Sequence, residues 1–176
     1  KPVSPYAGPT ADKRVRQAIA SAVDADEIIK GVLDGKAMRT ATMLTSMHFG
    51  FDPSLKPIKQ DLAKTKKLLA EAGFPKGFTT KVQVCSCNPD HMDLLPLIAA
   101  YYEQVGVKLE IQPMEYGAFL SAMSSRTHAS GYFMNSGHVN PTRTIHKSFI
   151  TGELWNPAGY SDPKYDAKME EVFRTK

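Results

Sequence analysis

The stretch FTTKVQVCSCNPDHMDLLPLIAAYYEQVGVKLEIQ, residues 78–112, decides the fold class. Its opening alternates: Phe78, Thr80, Val82 and Val84 fall on one side of an extended chain, Thr79, Lys81 and Gln83 on the other. A period of two marks a strand half buried against helices. The middle predicts a helix started by Asn88 or Asp90, continuing through Leu94, Leu97, Ile98 and Tyr101 as far as Val105, and stopped at Gly106. Pro96 lacks an N–H and would break the ladder deep inside a helix, so regular helix is expected to begin close to it. The end restores the period of two, with Val107, Leu109 and Ile111 against Lys108, Glu110 and Gln112. Strand, helix and strand in close succession predict a parallel sheet with a right-handed crossover, and so an α/β domain.

Upstream, Val15, Ala18, Ile19, Ala22 and Val23 recur at the spacing of one helix face, with Asp12 placed to cap the start. A second, shorter helix is expected from Asp24 or Asp26 through Ile28, Ile29, Val32 and Leu33, ended by Gly35. Residues 36–60 keep no period and hold Gly50, Pro53 and Pro57, which reads as a long loop. Its apolar, Met-rich run Thr42–Phe51 is expected to tuck against the core more than to line a pocket, with Met43 and Met47 as fillers. Asp61 then caps a third helix that turns Leu62, Thr65, Leu68, Leu69 and Ala72 inward, leaves Lys64, Lys66 and Lys67 in water, and ends at Gly73.

Downstream, a helix is expected from about Glu115 to Met123, then a short apolar strand at Tyr132–Met134 that a second crossover places beside the others. A helical segment is expected between Pro141 and Phe149. Pro163, in the first turn behind Asp162, opens a last helix through Tyr165, Met169 and Val172.

Composition excludes several classes. With 176 residues and 42% hydrophobic side chains the chain has the means for one core. No uncharged apolar run approaches the roughly 20 residues that cross a bilayer, and KPVSPYAGPT lacks a signal peptide's apolar centre. The net charge of +4 comes from Lys and Arg scattered among 18 acidic residues, a solvated surface and not a nucleic-acid footprint. GxxxxGK[ST], GxGxxG, GxSxG and HExxH are all absent.

The two cysteines, Cys85 and Cys87, project to one face at the end of the first strand. A bond between them closes a very small ring, and two ligands do not make a structural zinc site, so free thiols are expected. Of the five histidines, His138 and His146 flank HVNPTRTIH, at a spacing that matches no standard ligand pattern.

Ligands of open α/β sheets bind at the carboxyl ends of the strands. In this chain that position falls to the segment after the third strand. Asn135, Ser136, Gly137, His138 and Asn140 supply amide, hydroxyl and imidazole groups there, with a glycine that allows close approach to backbone. Arg143 adds a guanidinium suited to an anionic group.

Four segments, DKRVRQAI (12–19), AKTKKLLAEAGFPKGF (63–78), GVKLEIQPMEYGAFL (106–120) and GYSDPKYD (159–166), resemble in this order the C-terminal lobe of bacterial extracellular solute-binding proteins, family 5. These serve importers of peptides, nickel and oligosaccharides. The resemblance implies a periplasmic-binding-protein-like α/β fold of type II, a mostly parallel sheet flanked by helices. It implies that residues 1–176 are a single lobe of a larger two-lobed protein, with the chain a fragment of it. It further implies a substrate-binding component of an ABC transporter that closes around a solute, without catalysis; no cofactor or metal is expected, and because some relatives carry nickel complexes a metal or chelate site at His138 and His146 stays an alternative. The implied partners are a small-molecule or peptide solute, the permease subunits and the missing N-terminal lobe, with no nucleic acid. The implied location is the periplasm, or the outer face of the cytoplasmic membrane, with the signal outside this chain.

In the family's peptide-binding members an aspartate in the region of residues 135–150 pairs with the peptide's amino terminus. This chain carries no acidic residue there and lacks the usual tryptophan, which points away from a standard dipeptide. Two other readings stay open. One is a small hydrolase or metal-dependent enzyme built on His138 and Ser136, and the other is a ligand-free interaction module, which predicts an exposed apolar patch.

Overall fold

The computed structural model describes residues 8–125, 132–133, 146, 148–156 and 158–174. After a short 3-10 turn at Pro9–Ala11 come α1 (Lys13–Ala20), α2 (Ala25–Gly31) and α3 (Leu62–Glu71). They are followed by β1 (Phe78–Cys85), α4 (Pro89–Glu103), β2 (Val107–Met114), α5 (Tyr116–Ser125), β3 (Tyr132–Phe133) and α6 (Pro163–Arg174). The sheet has strand order β2-β1-β3, and both pairings are parallel. Register sets Phe78 beside Val107, Val82 beside Ile111 and Val84 beside Phe133. The two period-two patterns therefore present one continuous apolar face.

The helix starts follow the side chains that cap them. Asp12 accepts the Arg14 N–H at 2.7 Å, Asp24 accepts those of Asp26 and Glu27 at 3.0 Å, and Asp61 accepts that of Lys64 at 2.8 Å. Each such cap satisfies an N–H that the helix itself leaves open. Asp162 does the same for Lys164 at the start of α6.

One core cluster joins Val15, Ala18 and Ala22 to Leu69 of α3 and to Val105 and Val107 at the start of β2. Burying each Val or Leu of this kind contributes about 1.5–3 kcal/mol. Inside it Thr65, fully buried, shares a hydrogen bond with Ser21 Oγ at 3.0 Å, so the polar groups between α1 and α3 are satisfied. A second cluster, Val82, Val84 and Leu95 with Met92, Leu109 and Ile111, seats α4 on the apolar face. The opposite face is polar where it is open, with Lys81 and its register partner Glu110 3.8 Å apart, and α5 packs against β1 with Phe119 and Met123 buried.

The structure departs from the sequence reading at several points. Helix α4 begins at Pro89 and not near Pro96, which sits inside it on the exposed side. An interior proline costs a helix about 3 kcal/mol. The burial of His91, Met92 and Leu95 under β1 and β2 offsets that cost and holds the first turns helical. The inward face of α4 is His91, Met92, Leu95 and Tyr102, with Leu94, Leu97, Ile98 and Tyr101 half-buried. Helix α2 stops at Gly31, leaving Val32 46% exposed, and α6 buries only Met169, leaving Val172 exposed.

The Met-rich run does not enter the core. Met47 and Phe49 are 91% and 92% exposed, because local bonds such as Thr45 to His48 shape the loop and no described element covers its tip. Finally, Cys85 and Cys87 are bonded to each other and are not free thiols. The chain leaves the strand at Ser86 in a turn, which brings the two Cα atoms to 5.1 Å, inside the range that a disulfide spans.

Candidate functional site

Parallel strands align their carboxyl ends, so three connections leave the sheet at one edge. From β1 the chain enters the turn Cys85–Asn88, from β2 it passes through Glu115 into α5, and from β3 it continues beyond Phe133. The backbone N–H and the hydroxyl of Ser86 both donate to the Met114 carbonyl, at 2.9 and 3.1 Å, and fasten the first two connections together. Glu115 Oε2 accepts the N–H groups of Gly117 and Ala118 at 2.7 and 3.3 Å. A Cβ on Gly117 would come within 3.0 Å of that oxygen, so the glycine makes room for the cap. Asn88 opens α4 without using its side chain as a cap. The edge thus offers a hydroxyl, an amide and a helix N-terminus, which is equipment for hydrogen-bonded recognition of a polar solute.

The six residues expected to bind ligand, Asn135, Ser136, Gly137, His138, Asn140 and Arg143, lie outside the described residues. The sheet places the chain's exit at Phe133 beside Val84, one residue short of the bonded pair at Cys85–Cys87. Sequence reasoning missed Ser86, Asn88 and Glu115 as parts of this edge. The signal available was the parallel register, which sets Val84 between Pro113 and Phe133 and so brings the ends of β1 and β2 together.

Beyond that segment, His146 and Phe149 lie in a helical turn. His146 Nδ1 is 4.0 Å from Glu153, and its ring meets Phe173 edge-on with centroids 4.7 Å apart. His146 and Phe173, together with Ile150, Asp166, Glu170 and Arg174, line a groove of about 290 Å³. Among the described residues no three His, Cys, Asp or Glu side chains are grouped to hold a metal. Asn156, fully buried, organises the loop ahead of α6: its amide donates to the carbonyls of Ile150 at 2.9 Å and Tyr160 at 2.7 Å, and accepts the Tyr160 N–H at 3.0 Å.

A second groove, about 380 Å³, runs between α2 and α4 past Ile28, Val32, Leu97 and Tyr101. The Tyr101 hydroxyl donates to the Glu27 carboxylate, and that hydrogen bond pushes its pKa up to about 12. Because α4 runs back against the strands, its C-terminal half lies toward the amino edge of the sheet, so this groove is apart from the carboxyl edge.

The comparisons with known proteins agree with this architecture. The model of the bacterial extracellular solute-binding proteins, family 5, middle region, matches residues 3–163. The dipeptide-binding protein of Escherichia coli K12 is 31% identical over 124 residues, covering 68% of this chain and 23% of its own length. Heme-binding protein A of Haemophilus influenzae is 26% identical over 90% of this chain and 30% of its own length. The chain therefore spans about a quarter to a third of these relatives. Among solved structures, HbpA2 from Haemophilus parasuis superposes with a TM-score of 0.83 at 26% identity, over 94% of this chain and 34% of that one. MoaA from A. tumefaciens R10, in complex with mannopinic acid, gives 0.74 at 27% identity over 93% of this chain and 34% of that one. The α/β fold is that of these binding proteins, and each relative named here is a binding protein and not an enzyme.

Proposed function

Because this chain belongs to the bacterial extracellular solute-binding proteins, family 5, we propose that it forms one wall of the solute cleft in the binding component of an ABC importer. In this reading residues 1–176 are one α/β lobe of a larger two-lobed protein outside the cytoplasm, which closes around its solute and then docks on the permease. The observation that carries the reading is the coincidence of the family match over residues 3–163 with a three-stranded parallel sheet whose connections converge on one edge. Ligands of such sheets sit at that edge.

The solute is polar and uncharged, or anionic. Residues 135–150 hold no carboxylate, while Arg143, His138 and the amides of Asn135 and Asn140 stand in the same segment. An ammonium held there would lack a counter-charge, and a buried unpaired cation is costly. Sugars, organic anions, or peptides gripped other than by their amino terminus satisfy this chemistry.

The test is a thermal-shift screen of the complete two-lobed protein against dipeptides, oligopeptides, sugars, anionic metabolites and nickel chelates. A solute that binds only the folded state at a hundred times its Kd stabilises it by about 2.7 kcal/mol, enough to raise the melting temperature measurably. A shift with sugars or anions that Asn135→Ala or Arg143→Ala abolishes supports the reading. A shift with ordinary dipeptides overturns the argument from the missing carboxylate, and enzymatic turnover of any compound in the screen overturns the assignment as a binding protein.

The exposure of Met47 and Phe49 favours a second role for the same lobe, an apolar contact surface on the loop 36–60. In the two-lobed reading that surface packs against the companion lobe.

A further inference from the structure

The bond between Cys85 and Cys87 has no evident task in holding the fold. Only Ser86 lies between the two cysteines, so as a cross-link the bond restrains three residues, whereas disulfides that stabilise folds close long loops. The turn it spans is already fastened to β2 by the two hydrogen bonds from Ser86 to Met114. The two sulfurs also differ sharply in access: Cys87 is exposed at the carboxyl edge, and Cys85 is 5% exposed beneath it.

The surroundings of the buried sulfur favour its departure as a thiolate. The Cys87 backbone N–H donates to Cys85 Sγ at 3.2 Å. That donated N–H lowers the energy of a negative charge on Cys85 Sγ, against the desolvation that its burial imposes. In exchange reactions the thiol with the more stable thiolate leaves faster, and the accessible sulfur is the one attacked. Access and leaving-group stability therefore select the same direction of attack.

We propose that the Cys85–Cys87 bond is a thiol–disulfide exchange site, at which a low-molecular-weight thiol attacks Cys87 Sγ and releases Cys85. The attacking thiolate forms a new sulfur–sulfur bond to Cys87, the Cys85–Cys87 bond breaks, and its electron pair leaves on Cys85 Sγ. A second thiolate then attacks the mixed disulfide, frees Cys87 as a thiolate, and leaves as the symmetrical disulfide of the small thiol. Two electrons pass from two small thiols to the protein, and each sulfur takes up a proton according to pH. The reverse sequence restores the bond. The mixed disulfide stands on the same edge as the connection leaving β3, so an adduct on Cys87 projects from the wall at which a solute would be read. This inference rests on the turn alone and holds whether or not the chain binds a solute.

The experiment is incubation of the native chain with excess reduced glutathione near pH 8, quenching with N-ethylmaleimide at intervals, and mapping of both cysteines by mass spectrometry. The expected product carries glutathione on Cys87 and the maleimide on Cys85, formed within about tenfold of the rate for the urea-unfolded chain, since an exposed sulfur gains little protection from folding. Protection by about a hundredfold or more, or glutathione placed on Cys85, overturns the proposal. A parallel hydrogen-exchange measurement follows the Ser86 amide in the reduced chain and in Cys85→Ser. Retained protection of that amide is expected. Its loss would show that the bond holds the turn and would overturn the premise that it is free for chemistry.

Discussion

Replacing Asn156 is expected to cost the loop ahead of α6 three hydrogen bonds at once. The side chain is fully buried, with its Nδ2 atom 2.9 and 2.7 Å from the carbonyls of Ile150 and Tyr160 and its Oδ1 atom 3.0 Å from the Tyr160 N–H. At about 1 kcal/mol net for each bond, Asn156→Ala loses about 3 kcal/mol. Tyr160 is 40% exposed, so water recovers part of its share, and the expected loss settles at about 2–3 kcal/mol. Asn156→Asp keeps the volume and the acceptor but replaces the donor with a second acceptor that faces two carbonyl oxygens. At pH 8 it must therefore be worse than Asn156→Ala. Burial and the two carbonyls raise the introduced carboxyl's pKa in the folded state above its unfolded value. The folded chain then binds the extra proton between those two values, so stability is recovered as pH falls through the raised pKa, where the protonated group regains a donor. Urea unfolding followed through Trp155, the only tryptophan in the chain, reads both variants at pH 8 and pH 5. An alanine variant within about 0.5 kcal/mol of the parent, or an aspartate variant that equals it at pH 8 with no recovery in acid, would refute the reasoning.

Two further substitutions test the frame that holds the sheet. A Cβ at Gly77 would meet the Gly106 carbonyl oxygen at 1.9 Å with φ at +78°, so Gly77→Ala is expected to cost about 3 kcal/mol or more. Gly31→Ala, at the end of α2 with open space around it, should instead gain about 0.5–1 kcal/mol; urea midpoints compare the pair. Burial pushes the Tyr102 hydroxyl up to about 12, so the folded state holds a proton that the unfolded state loses near pH 10. Stability from this group is whole below pH 10 and declines by about 2–3 kcal/mol between pH 10 and 12. Tyr102→Phe should flatten that part of a pH-dependent unfolding curve, and an unchanged slope would assign the loss to other groups.

What could be read from the sequence followed the contrast between polar and apolar positions. Helices α1 and α3 carry lysine and arginine between their buried residues, so only one face can turn inward, and both the face and the capping aspartate were legible. The strands were legible for the same reason, since Lys81 and Glu110 exclude one side from the core. Helix α4 gave no such contrast. Its second half, LLPLIAAYY, is apolar on every side, and the period could not choose between the face under β1 and the face toward α2. Pro96 misled because a local rule about helix breakers was weighed without the burial that outweighs it. In α6, Val172 repeats at helical spacing although only Met169 is buried, for periodicity states that a face is apolar and cannot state that something covers it.

The candidate site divides along the same line. The place was legible, because a parallel strand order follows from short connections through helices, and three parallel strands must deliver three connections to one edge. The chemistry of that edge depends on contacts between residues far apart in sequence, such as Ser86 with Met114, which no periodicity records. The cysteines show the difference most directly. As a spacing, Cys-x-Cys on an extended strand points both sulfurs to one face and argues for two separate thiols. As a structure, the strand ends between them, the chain turns, and the same two residues meet. The decisive quantity was where β1 stops, and strand ends are set by pairing: β2 runs to Met114, the register partner of Cys85, and Ser86 already spends its N–H on the Met114 carbonyl from within the turn. An edge built this way takes its geometry from the sheet and its reactivity from the residues just past the last pair, and those residues are where specificity for a solute would be written.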